Sequence, residues 1–115
     1  MKKYNCIIGI DPGANGGIAV YENGRVHVAR MSKDLKKLEQ FIGFYNDTYN
    51  TIVFIEKLQI RQDDLTGGKV FRIKSLIANY EALKAVISIA SCDYVEVHPL
   101  TWQSKLNLRK KGGEE

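Results

Sequence analysis

The sequence predicts an α/β fold built on a mixed five-stranded sheet with flanking helices. Two runs, residues 6–10 and 51–55, are apolar at successive positions, as in strands that are covered on both faces. Asn23-Gly24 marks a tight hairpin between two further strands that follow the first of these runs. Helical patterns then separate the later strands. Because crossover connections are right-handed, strands four and five should lie parallel to strand one, while strands one to three are antiparallel.

Length and composition limit the chain to one core. At 115 residues and 44% hydrophobic content, we assign residues 1–108 to a single domain and residues 109–115 to a flexible tail. The 17 basic residues exceed the 13 acidic ones, giving a net charge of +4 that suits a polyanionic partner without requiring one. We expect a cytoplasmic protein without a membrane segment, since no apolar run could span a bilayer and neither cysteine has metal-ligand spacing.

The first three strands form one continuous antiparallel unit in this interpretation. Residues 6–10 end at Asp11-Pro12-Gly13, a turn former. The run at residues 17–21 leads through Asn23-Gly24, with a type I′ turn, into residues 26–29.

Two helical patterns connect the remaining strands. Ser32 is the predicted N-cap of the first helix, which presents an apolar stripe from Leu35 to Tyr45 and ends near Asn46-Asp47. The second helix covers roughly residues 70–91 and is so apolar that one flank could pack on the sheet and another on a second subunit. A single deep core would explain the apolar character of this helix equally well. A polar loop at 59–68 precedes this helix, and a short strand at 94–97 follows it.

Both strands that look most buried end in an acid. Asp11 follows the first strand and Glu56 follows the fourth, and parallel neighbours would bring the two within about 5 Å. Such a pair repels unless one carboxylate is protonated or a divalent cation lies between them. Oxygen ligands favour Mg²⁺ or Mn²⁺, and metal-assisted phosphodiester hydrolysis suits this geometry. Taken singly, however, Asp11 could be an ordinary turn residue and Glu56 a solvated strand end.

Other residues are weaker candidates for the same site. Gly13, Gly16 and Gly17 would let the backbone approach a phosphate, although glycine also serves any tight loop. His98, before Pro99, more often packs or supports other groups, and we leave it out of the catalytic set. Basic residues near the end could contact DNA phosphates, or could serve only solubility. They are Lys105, Arg109, Lys110 and Lys111.

Four segments of the chain form a pattern that extends beyond the acid pair. They are Ile8-Gly9-Ile10-Asp11-Pro12-Gly13 with Gly16-Gly17-Ile18-Ala19, Val53-Phe54-Ile55-Glu56-Lys57, Tyr80-Glu81-Ala82-Leu83, and Val97-His98-Pro99-Leu100-Thr101-Trp102-Gln103. Together they resemble the RuvC-like Holliday junction resolvases, in particular their phage and phage-derived branch. The resemblance covers essentially the whole chain, and it implies a ribonuclease H-like fold, divalent-metal catalysis through Asp11 and Glu56, and branched DNA as the substrate. The family's dimerising helix begins at the position of the long helix here, which implies a homodimer formed through residues 70–91.

Two departures from the family pattern limit what can be carried over. Gln103 stands where bacterial members usually have a lysine, and the nearest lysine is Lys105. The family also places two further acids on a later helix, whereas this sequence ends at Glu114-Glu115. We therefore expect a fragment of a longer enzyme, a shortened relative that binds junctions without cutting, or a site completed by Glu114 or Glu115. Rival functions are a non-catalytic nucleic-acid-binding module and an actin-like nucleotide-binding fragment.

Overall fold

A five-stranded mixed sheet is the frame of the molecule, seen in a computed structural model that describes residues 3–12, 16–60 and 70–98. The strand order is β3-β2-β1-β4-β5, with strands one to three antiparallel and strands four and five parallel to strand one, directions that the sequence predicts. The elements along the chain are β1 (Cys6–Ile10), β2 (Gly17–Glu22), β3 (Arg25–Arg30), α1 (Leu35–Thr48), β4 (Thr51–Glu56), α2 (Val70–Ile89) and β5 (Asp93–Val97).

The hairpin between β2 and β3 has the predicted turn chemistry. Asn23 and Gly24 both have positive φ angles, of 49° and 75°, which is the requirement of a type I′ turn. β1 and β2 pair antiparallel, with Gly9 opposite Ala19, and β2 and β3 continue the antiparallel ladder, with Ala19 opposite Val28. The hairpin prediction is confirmed.

Parallel pairing joins the other half of the sheet. β4 lies beside β1 with Ile8 in register with Val53, and β5 lies beside β4 with Phe54 in register with Val95. Each parallel neighbour is reached through a helix, α1 or α2, as crossover connections require. The carboxyl ends of β1, β4 and β5 therefore meet at one edge of the sheet, which we call the carboxyl edge.

The start of α1 differs from the prediction by two residues. Asp34, not Ser32, is the N-cap, and its carboxylate accepts hydrogen bonds from the backbone N–H groups of Lys36 and Lys37. The hydroxyl of Ser32 instead accepts from the backbone N–H of Asp34 at 3.1 Å and so holds the turn before the helix. An ionised side chain next to the helix N-terminus also interacts favourably with the helix dipole, which favours Asp34 in this role.

One core lies between the two helices and one face of the sheet. Leu38 and Ile42 of α1 and Tyr80, Leu83 and Ile87 of α2 are buried against it. The spacing of apolar residues in α2 predicts a buried stripe that contains Tyr80, Leu83 and Ile87, and these three are buried, while Ile77, which would widen the stripe, remains 39% exposed. The strand residues that complete the core are Cys6, Ile8, Ile10, Ile18, Val20, Val53 and Ile55.

The opposite face of the sheet is apolar and uncovered among the described residues. Val28 is 79% exposed, Val26 64% and Tyr21 50%. The expectation that β1 and β4 are covered on both faces is therefore wrong for the described part of the chain, where both helices pack on the same side. We call this surface the open face; its apolar members are Ile7, Gly9, Ala19, Tyr21, Val26, Val28, Ile52, Phe54, Val95 and Val97.

Some predictions concern residues outside the described ranges. These are the polar loop from residue 61 onward, Gly13, and everything after His98, including the helical turn through Trp102 and Leu106 and the tail at 109–115. Among the described residues, no helix has the combination of length and hydropathy that crossing a membrane requires.

Candidate active site

Asp11 and Glu56 lie side by side at the carboxyl edge. The backbone N–H of Asp11 donates to the carbonyl oxygen of Gly17 at 3.0 Å, so the ladder between β1 and β2 extends to this acid. Ile10 is in register with Ile55, and one further step along both parallel strands reaches Asp11 and Glu56. Side chains alternate along a strand, so both acids point to the open face, opposite to the buried isoleucines that precede them.

The electrostatics of the pair agree with this placement. Partial burial, and then the nearby negative charge of Asp11, raise the pKa of Glu56 above its ordinary value. Asp11 itself is exposed at the end of the strand. The negative charge of Asp11 therefore disfavours the charged form of Glu56, and a cation placed between the two carboxylates would remove that penalty.

The donor chemistry of the pair fits a hard divalent cation, although it supplies only part of a coordination sphere. Within residues 3–12, 16–60 and 70–98, no group of three or more His, Cys, Asp or Glu side chains is arranged to hold a metal ion. Magnesium commonly binds through one or two carboxylates and completes its shell with water and substrate phosphate. Two carboxylates at a sheet edge are sufficient for that mode and insufficient for a closed protein cage.

Of the other residues predicted for the site, some lie within the described ranges and some lie outside them. Gly16 is partly buried immediately before β2, next to the backbone that receives the Asp11 hydrogen bond. Gly13, Lys105, Arg109, Lys110 and Lys111 lie outside the described residues. The structure therefore brings together Asp11, Glu56 and the Gly16-Gly17 backbone, and gives no position for the basic residues of the final segment.

His98 lies just beyond β5 and contacts the side-chain amide of Gln59. The neighbouring backbone is tied by a hydrogen bond from the N–H of Lys57 to the carbonyl oxygen of Val97 at 2.8 Å. The ends of β4 and β5 are thus held together directly after Glu56. This is consistent with a supporting role for His98, as the sequence suggests.

A polar cluster on the side of the sheet that the helices cover lies next to the segment that follows Glu56. The hydroxyl of Tyr80 donates to Glu96, and Lys84 lies 3.5 Å from the same carboxylate oxygen. The backbone of Leu58, two residues after Glu56, also hydrogen bonds to Tyr80. Tyr80 therefore links α2, β5 and the chain that follows Glu56.

The spacing of apolar residues predicts Tyr80 as a core residue, whereas Glu96 is not among the residues that the sequence predicts for the site. The alternation Val95-Glu96-Val97 indicates that Glu96 lies on the face of the strand opposite to its two valine neighbours. That pattern identifies the face of the strand, but the partners of Glu96 depend on how α2 packs.

Comparison with known proteins gives structural matches only. No protein-family model matches the sequence, and no curated protein matches it. A structure of T. thermophilus RuvC in complex with a Holliday junction substrate superposes with a TM-score of 0.56 at 12% identity, over 88% of this chain and 69% of that one. A second Thermus thermophilus RuvC structure gives 0.50 at 17% identity, over 89% and 69%. The chain therefore has the same fold as these RuvC structures.

Proposed function

We propose that this chain is the nuclease domain of a metal-dependent enzyme that hydrolyses DNA phosphodiesters at Holliday or other branched junctions. The observation that carries the proposal is the adjacency of Asp11 and Glu56 on one face of the carboxyl edge. The RuvC-like fold supports it. One of the two RuvC structures described above is a complex with a Holliday junction substrate, which makes branched DNA the first substrate to test.

Asp11 and Glu56 are the residues that would hold Mg²⁺ or Mn²⁺ in this proposal. Such an ion supplies activation of water and stabilisation of the leaving oxygen in phosphodiester hydrolysis. The backbone hydrogen bond from Asp11 to Gly17 fixes the first carboxylate, and the β4–β5 ladder fixes the second. Fixed ligands are needed because catalytic geometry tolerates only small displacements.

Further acidic ligands would come from outside the described residues, on an element that covers the open face. Both carboxylates point to that face, and its valines and aromatic side chains are exposed without a described partner. An apolar helix laid there would bury this surface and could carry acids to the carboxyl edge. This follows the resemblance to the resolvases, in which two later acids complete the site.

A homodimer formed through α2 is the second part of the proposal. The helix is apolar on more than its core side, since Phe71 is 80% exposed and Ile89 68% exposed. Between these two lie Ser75, Ala78 and Ala85, which are exposed and small enough for a second helix to approach closely. A dimer would present two sites to the two strands of a junction. We also propose a reducing, cytoplasmic location, since Cys6 and Cys92 are buried free thiols.

The test uses a fluorescent four-way junction with Mg²⁺ or Mn²⁺. We expect the chain to bind the junction, and we expect any cutting of it to require the divalent cation. Asp11→Asn should abolish that cutting, while Asp47→Asn, a matched change on exposed α1, should leave it intact. Robust cutting that survives Asp11→Asn would contradict the site.

A non-catalytic junction-binding module is the second candidate. The described residues favour it in one respect, because they contain only two adjacent carboxylates at the carboxyl edge. It predicts junction binding that does not depend on a divalent cation and does not change with Asp11→Asn. The nuclease proposal predicts tighter binding when Mg²⁺ is added, through a cation shared by the protein and a phosphate.

A further inference from the structure

One row of residues crosses the open face at the carboxyl edge. Gly17 is opposite Arg30 in the β2–β3 ladder, and its carbonyl receives the backbone hydrogen bond of Asp11. Asp11 is beside Glu56, which is in register with Val97. The row from β3 to β5 therefore reads Arg30, Gly17, Asp11, Glu56, Val97, and its members share the open face.

Among the residues that the structure describes, Arg30 is the only cationic side chain at a strand position of this face. The other charged strand residues there are Glu56 and Asp93, and the remaining positions are apolar or glycine. Arg30 is exposed, and within the part of the chain that the structure describes its guanidinium has no carboxylate partner. Arg25, on the same strand, lies on the opposite face and is electrostatically coupled to Glu22.

Gly17 leaves the space between Arg30 and Asp11 clear. A Cβ atom at Gly17 would come within 3.1 Å of the carbonyl oxygen of Ala29, so a larger residue would crowd the hairpin. The absence of a side chain means that nothing from β2 stands between the guanidinium and the two carboxylates. The backbones of β3 and β1 are two strand spacings apart, about 10 Å, and the long arginine side chain covers much of that distance.

We infer that Arg30 binds a backbone phosphate of the DNA, next to the phosphodiester that Asp11 and Glu56 receive. The inference rests on the proposed function. A DNA strand that follows the row would meet two carboxylates, which repel it until a cation is bound, and one guanidinium, which attracts it. A guanidinium can donate two parallel hydrogen bonds to a phosphate, which fixes the orientation of the strand as well as its position. Arg30 thus determines from which side the strand enters the site.

A structural role for Arg30 makes a different prediction. β3 is an edge strand with all six residues exposed, and charged side chains on such strands prevent pairing with other molecules. If this were the whole role, Arg30→Ala would change solubility or oligomeric state and leave DNA affinity and its salt dependence unaltered.

The test measures binding of the 115-residue chain to a fluorescent four-way junction in Mg²⁺ by anisotropy, over a series of salt concentrations. Arg30→Ala should weaken binding roughly fivefold and reduce the slope of log K against log salt by about 1, the loss of one phosphate contact. Arg30→Lys should restore the slope while recovering only part of the affinity, because it keeps the charge and loses the two-point contact. Arg25→Ala, the matched control, should retain the wild-type slope.

The outcomes distinguish a failure of the inference about Arg30 from a failure of the proposed function. If the wild-type chain does not bind the junction, the proposed function fails and the inference falls with it. If the wild-type chain binds and Arg30→Ala has the same affinity and salt slope, the inference is overturned and the proposed function stands. A weaker affinity with an unchanged slope, or one that Arg30→Lys does not improve, would also overturn it. Melting curves of each variant verify that the proteins compared are folded.

Discussion

Asp11 adds its negative charge to the effect of burial in raising the pKa of Glu56, across the boundary between two parallel strands. The two side chains occupy the same row and the same face of the sheet. Their proximity is unfavourable for the cation-free protein, and in the proposed function a bound cation offsets this repulsion. This dual character gives the first prediction.

Glu56→Gln should stabilise the cation-free protein at neutral pH, by up to about 1 kcal/mol, because it removes a partly buried charge beside another. The pKa of Glu56 is raised in the folded state, so the penalty is present above that pKa and disappears as pH falls below the ordinary value of about 4.3. Urea unfolding at neutral and acidic pH, with chelator, measures the difference. Glu39→Gln on α1 is the control. A less stable Glu56→Gln protein at neutral pH would contradict the account.

The second prediction concerns Tyr80, which is 5% exposed and donates its hydroxyl to Glu96. Tyr80→Phe should lower the free energy of unfolding by about 1 kcal/mol, since one buried hydrogen bond to a charged group is lost while the ring still packs. Glu96 retains Lys84 as a partner. Tyr94→Phe, on the strand that carries Glu96 and at a more exposed position than Tyr80, should have little effect. Equal losses in the two variants would argue against the role assigned to Tyr80.

The third prediction concerns Glu22, a buried acid at the opposite end of the sheet from the candidate site. Hydrogen bonds from His27 at 3.0 Å and from the hydroxyl of Tyr49 at 2.9 Å lower the pKa of Glu22. The stability from these contacts is therefore present above the ordinary pKa, about 4.3, and is lost as pH falls through the lowered value.

Glu22→Gln should consequently be less stable than the wild type at neutral pH and should show a flatter loss of stability in acid. Melting temperatures recorded from neutral pH down to about pH 3, below the ordinary pKa of a glutamate, measure this. Parallel pH profiles for the two proteins would show that the contacts of Glu22 do not contribute.

The fourth prediction concerns the two thiols. Burial is the main cause that raises the pKa of Cys6, and it raises that of Cys92 to about 11. Because the thiolate is the reactive form, neither cysteine should react with a thiol reagent at neutral pH while the protein is folded. Both should react at once in urea. Rapid labelling of the native protein would show that the core near Thr51, whose carbonyl accepts from Cys92, opens readily.

The sequence was sufficient to predict the sheet and the acid pair. Continuous apolar runs fixed the central strands, Asn23-Gly24 fixed the hairpin, and the handedness of crossovers then placed Asp11 beside Glu56. These features depend on local chemistry and on one general rule of connection. The type of each element and the order of the strands follow from them without any knowledge of side-chain packing.

Other features could not be predicted because they depend on packing or on undescribed segments. An apolar run such as β1 looks the same whether one face or both are covered, and only Ile7, 39% exposed, shows which case holds here. The choice of Asp34 over Ser32 as helix cap depends on the exact residue at which the backbone becomes helical. The Tyr80–Glu96 contact and the position of Arg30 in the row of Asp11 both require the register between elements distant in sequence.

Binding of Mn²⁺ to the purified chain tests the central claim most directly, since it requires neither DNA nor turnover. Mn²⁺ is titrated into wild type, Asp11→Asn, Glu56→Gln, the double variant and the Asp47→Asn control, and the free ion is followed by electron paramagnetic resonance. We predict that each single change weakens binding at least about tenfold, since each removes one of two ligands. We predict that the double change adds little beyond the first, because both ligands serve one ion. Equal Mn²⁺ affinity in the wild type and in Asp11→Asn would contradict the assignment of the site.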